Sequence, residues 1–80
     1  MKIRDVWIDV KKVKQGRIVG MADVEVEGRI VLQGLEFTLE YDNLKLRLPA
    51  NIKLGELEKR KLSRAVADEL LCELALGLIP

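Results

Sequence analysis

Apolar and polar residues alternate along the first half of the chain, and then the period changes. Over residues 2–13, Val6, Ile8 and Val10 point one way and Asp5, Trp7, Asp9 and Lys11 the other. That is the period-two pattern of a half-buried strand. Lys14-Gln15-Gly16 then reads as a three-residue hairpin loop with Gly16 in its left-handed position. A second strand over 17–27 follows. With Val13 opposite Arg17, it sets Ile8 against Ala22, Val6 against Val24 and Val10 against Gly20, so the apolar sets share one side. Glu27-Gly28 reads as the next turn and Asp42-Asn43 as the third. They bound strands over 29–41 and 44–48. In this register Val24 faces Val31, Ile18 faces Phe37, Leu39 faces Leu46, Phe37 faces Leu48 and Glu40 faces Lys45. The core face of the third strand is then Val31, Leu35, Phe37, Leu39 and Tyr41.

Pro49 ends the fourth strand because it has no N–H for a ladder. From about residue 55 the apolar residues recur every four positions, at Leu62, Val66, Leu70 and Leu74. This predicts an amphipathic helix over about 55–76, with Glu56 and Glu58 in its first turn and Gly77 as its stop. The expectation is one α+β domain over residues 1–80: a four-stranded antiparallel meander followed by one helix on one face of the sheet.

One helix covers one face only. The same register leaves Trp7, Val19, Met21, Ile30 and Leu32 on the other face. After Leu70 the helix is apolar nearly all round, through Leu71, Cys72, Leu74, Leu76, Leu78 and Ile79. Exposed apolar patches mark interaction surfaces. The expectation is a homodimer built on Trp7, Met21, Ile30 and Leu32, on Leu71, Leu74 and Leu78, or on both. The alternative is a C-terminal tail folded back on its own sheet. Size points to association as well, since an 80-residue core is small and the chain has one cysteine and no histidine to staple it with a disulfide or zinc.

Charge adds the one positive chemical signal. The net charge is +1, but residues 45–64 carry seven cations against two carboxylates. Lys45 and Arg47 fall on the outer side of the fourth strand, Lys53 in the connector, and Lys59, Arg60, Lys61 and Arg64 in the first half of the helix. Arg60 and Arg64 are one turn apart, so a basic ridge able to bind phosphates is expected. A solvated helix face is the plain alternative. Trp7 suits an interface better than base stacking, given its apolar neighbours.

Other chemistry finds little foothold. General acid–base catalysis most often uses histidine. Cys72 lies among leucines and reads as a buried, inert thiol. Asp23, Glu25 and Glu27 share one strand face without the spacing of a calcium loop. No phosphate-cradling or dinucleotide glycine motif occurs. No enzyme activity, metal, cofactor, small-molecule substrate or membrane span is expected. The lone thiol and the absence of a leader-like start suit the cytoplasm.

The order of these pieces resembles the bacterial stage V sporulation protein G family, the septation regulators. Met1-Lys2-Ile3-Arg4-Asp5-Val6 is similar to that family's opening, and Gly16-Arg17 to its first hairpin turn. Ala22-Asp23-Val24 fits its second strand. Asp42-Asn43-Leu44-Lys45-Leu46-Arg47-Leu48-Pro49 is similar to its Gly-Leu-Phe-Val-Ala-Met-Pro segment. Lys61-Leu62-Ser63-Arg64-Ala65-Val66 with Glu69 resembles its C-terminal helix. The chain departs from the family in its short connector, Ala50 to Gly55, and in Lys45 where the family has Phe. The resemblance implies a dimeric domain of antiparallel strands plus helix that binds DNA or RNA and modulates expression or division.

Overall fold

A computed structural model describes residues 1–79. Four strands, β1 (Ile3–Lys14), β2 (Arg17–Val26), β3 (Ile30–Glu40) and β4 (Asn43–Arg47), form one antiparallel sheet in the order β1-β2-β3-β4. The helix α1 (Glu56–Ala75) lies across one face and packs against β1 and β4. This is the meander plus helix that the alternation predicts.

The centre of the β1–β2 register is also as expected: Val6 faces Val24, Ile8 faces Ala22 and Val10 faces Gly20. The turn is different. Lys14 pairs with Arg17, so the loop has two residues, Gln15 and Gly16. A bulge between Val10 and Lys12 takes up Lys11 and restores the phase. Because a strand has a period of two, the extra residue puts Lys12 and Lys14 on the outer side with Asp9 and Trp7.

The second turn carries the larger correction. It is a three-residue loop, Glu27-Gly28-Arg29, with Val26 opposite Ile30. Farther along, β3 bulges so that Gln33 and Gly34 oppose the single residue Asp23. Gly34 has φ +74°, a conformation that side chains with a Cβ disfavour, and its N–H donates to Asp23 Oδ1 at 3.0 Å. Beyond the bulge Leu35, Phe37 and Leu39 face the core as expected. Before it the faces are exchanged. Leu32 lies opposite Val24 and packs against the core, whereas Val31 lies opposite Glu25 on the outer side and is exposed. Ile30 is on the helix side too, at an exposed corner. Ile30 and Leu32 therefore do not belong to the open face with Trp7 and Met21.

At the third turn the loop is Tyr41-Asp42, one position earlier than expected, and Glu40 pairs with Asn43. Phe37 faces Leu46 and Leu39 faces Leu44. A slip of two positions leaves the apolar residues of β4 on their expected face. The expected Glu40–Lys45 pair is replaced by Thr38 opposite Lys45 and Glu36 opposite Arg47. Tyr41 is not a core residue: it is 85% exposed. Its ring lies over Gly16, and its N–H donates to the Gly16 carbonyl at 2.9 Å, tying the first and third turns together.

The core is Ala22, Val24, Val26, Leu35, Phe37 and Leu39 from the sheet, Leu62, Val66 and Leu70 from the helix, and Ile79. Gly20 sits beneath the Phe37 ring. A Cβ there would fall 2.4 Å from the Asp9 carbonyl oxygen and 2.8 Å from Phe37 Cζ, so the close packing of β1, β2 and this ring requires glycine. The helix ends in a Schellman motif: the Leu78 N–H donates to Glu73 O at 2.9 Å and the Gly77 N–H to Leu74 O at 3.1 Å, with Gly77 at φ +73°. That reversal brings Ile79 back into the core. The tail thus folds back on its own domain at Ile79 while Leu76 and Leu78 stay exposed.

Candidate nucleic-acid interface

After Arg47 the chain leaves the sheet through Leu48 and Pro49. It turns at the Ile52 N–H to Pro49 O bond (3.0 Å) and enters the helix at Glu56. This path leaves an open groove of about 530 Å³ between β4 and the first turns of α1. Its floor is apolar, with Leu46, Leu48, Ile52 and Leu54. Arg47 from the strand, Lys53 from the connector and Lys59 from the helix line the same groove. Three of the seven cations expected to form the site therefore converge, although they come from three different elements.

The remaining four distribute around this groove. Arg60 and Arg64 are exposed and one turn apart, on the side of the helix opposite the buried Leu62 and Val66. Lys61 is beside them, 4.0 Å from Glu58. Lys45 stands on the outer face of the sheet opposite Thr38 and does not line the groove. Carboxylates temper part of the charge: Arg47 lies 4.0 Å from Glu36 and Lys59 lies 4.0 Å from Glu56. Pairs this long and exposed are weak and readily exchanged for another anion. Among the described residues, Lys45, Lys53, Arg60 and Arg64 have no such partner. No carboxylate or thiol lines the groove, so its chemistry is that of anion binding over an apolar floor.

A second basic cluster escaped the sequence reading. Lys12, Lys14, Arg17 and Val19 line a depression on the open face of the sheet at the first turn. The Lys11 bulge puts both lysines on that side, whereas strict alternation would have put both on the helix side with Val10.

The residues expected at a dimer interface also separate. Trp7 is 48% exposed and lies beside Met21 on the open face. Leu71 and Leu78 are exposed, whereas Leu74 packs against the core. Cys72, expected to be buried, is exposed on the helix. Nearby, partial burial and then the neighbouring Glu69 carboxylate raise the pKa of Glu73 above its ordinary value. Of the acidic trio, Asp23 is engaged by the Gly34 N–H and Glu27 lies in the turn. No group of three possible metal ligands occurs among the described residues, and no helix among them is long and apolar enough to cross a membrane.

No protein-family model, curated protein or solved structure matches the chain.

Proposed function

We propose that the protein is a dimeric, non-enzymatic nucleic-acid-binding regulator, and that the groove between β4 and α1 holds the phosphate backbone. The observation that carries this reading is the convergence of Arg47, Lys53 and Lys59 on one groove. Arg60 and Arg64 extend the positive charge along the adjacent helix, with Lys61 and Lys45 at its margins. The order of motifs resembling the septation regulators supports the same reading. Nothing in the groove reads base edges in a fixed geometry, so the binding is to backbone and is weakly dependent on sequence. A lone cysteine suits a reducing compartment, and the cytoplasm is the proposed location.

Binding of fluorescent single- and double-stranded oligonucleotides, titrated with salt, tests the proposal. Engagement of three to five phosphates gives a log–log salt slope of roughly −2 to −4.5, at about 0.7–0.9 per neutralised phosphate. Reversing Arg60 and Arg64 to Glu should flatten that slope and weaken binding. Absence of binding to either nucleic acid at low salt sinks the proposal.

A second reading, a protein–protein assembly module, is favoured by one observation: Trp7 and Met21 form an apolar patch on the face of the sheet that no helix covers.

A further inference from the structure

We propose that the groove between β4 and α1 takes single-stranded rather than double-stranded nucleic acid, with the faces of unpaired bases laid on its aliphatic floor. The inference rests on that groove being the nucleic-acid site, and it names the form of nucleic acid held there.

Phosphate alone does not account for the lining. Six of the nine residues that line the groove are apolar. Leu46, Leu48, Ile52 and Leu54 are half-buried against the core, and each still lines the groove. A phosphate gains nothing from such a surface. The charge is modest as well. Arg47, Lys53 and Lys59 line the groove, but Glu36 stands 4.0 Å from Arg47 and Glu56 stands 4.0 Å from Lys59. Three cations with two carboxylates beside them hold a polyanion weakly, so a second contact has to contribute.

A duplex does not supply that contact. Its bases are stacked inside, its outer surface is phosphate and sugar, and its base edges lie within its own grooves. The floor of a concave site reaches neither base faces nor base edges. A single strand has unstacked bases that splay away from the sugar–phosphate chain. With phosphates on the three cations, base faces fall on the floor. None of the three aromatic residues, Trp7, Phe37 and Tyr41, lines the groove. The contact is therefore burial of base faces on aliphatic side chains, not aromatic stacking. Every base has such a face, so the contact tolerates any sequence.

Fluorescence anisotropy of the full chain with three labelled ligands tests this. They are an oligothymidylate of about ten nucleotides, a strand of the same length in which every sugar lacks its base, and a closed hairpin duplex. The changes are made in the ligand, so no variant has to fold. The duplex carries a charge every ~1.7 Å of its axis, so a site that responds to charge alone prefers it. The base-bearing single strand should instead bind at least about tenfold more tightly than either of the others. Its salt slope should be about 0.7 per phosphate. Trp7 on the open face is the other surface able to take a base, and Trp7→Ala should keep the ratio of the three affinities. Equal binding of the base-bearing and base-free strands, or preference for the duplex, overturns the inference and leaves the groove as a backbone site. Loss of the ratio in Trp7→Ala puts the bases on the open face and overturns it too. Failure of all three ligands to bind at low salt overturns the nucleic-acid reading itself.

Discussion

The two faces of this sheet are built on different principles. On the helix side the residues are aliphatic, fully enclosed and without polar side chains: Val24, Leu35, Phe37, Leu62, Val66 and Leu70 are all within 1% of complete burial. On the open side the same four strands carry charges of both signs around Trp7, Val19 and Met21. The covered face obtains its stability from area removed from water, about 1.5–3 kcal/mol per large side chain. The open face contributes little to the stability of one subunit and retains the capacity to choose a partner. The contrast teaches that one register can serve two ends, since alternation fixes what lies inside while the bulges decide which charges stand together outside.

Substitutions on the two faces should part company accordingly. The largest effect is expected at the centre of the covered face: Phe37→Ala should cost about 3–5 kcal/mol and Leu62→Ala about 2–5 kcal/mol in denaturant unfolding, through lost burial and a residual cavity. Gly20→Ala comes next. Its methyl group would collide with the Asp9 carbonyl and the Phe37 ring, so a loss of about 1–3 kcal/mol is expected from overpacking. At the bulge, Gly34→Ala forces a Cβ into φ +74° and should destabilise by about 1–2 kcal/mol. Trp7→Ala, on the open face, should leave the unfolding free energy of the monomer within about 0.5 kcal/mol while weakening self-association. A monomer stability loss comparable to that of Phe37→Ala would erase the distinction between the faces.

The smallest effect tests the helix. The raised pKa of Glu73 means that the folded state disfavours its charge. Stability is unaffected below the unfolded value near 4.5, falls as pH rises through the window above it, and stays lower at neutral pH. Glu73→Gln should therefore stabilise by a few tenths of a kcal/mol at pH 7, the scale of a like-charge i,i+4 pair. The gain should disappear near pH 3.

The fold was legible in the sequence because alternation, two of the turn glycines and the change of period at the helix agree. The details that escaped lie at the bulges. Lys11 and the Gln33-Gly34 pair each insert one residue, and periodicity assumes none. That single blind spot moved Ile30 and Leu32 to the helix side, sent Val31 outward and hid the Lys12–Lys14–Arg17 cluster. Tyr41 was misplaced because its φ of +57° puts an aromatic residue in a turn position more often held by glycine or asparagine. The basic groove was half legible. Seven cations stood out in one segment, but only the path of the connector shows that Arg47, Lys53 and Lys59 meet while Arg60 and Arg64 look outward.

Three basic clusters now compete for an anion: the groove, the helix ridge beside it, and the Lys12–Lys14–Arg17 depression on the open face. Amide NMR of the labelled protein, titrated with an oligonucleotide, separates them directly. The account predicts shifts confined to residues 45–64, with the amides of residues 5–25 unmoved. Shifts centred on Lys12, Lys14 and Arg17, with the groove silent, would contradict it.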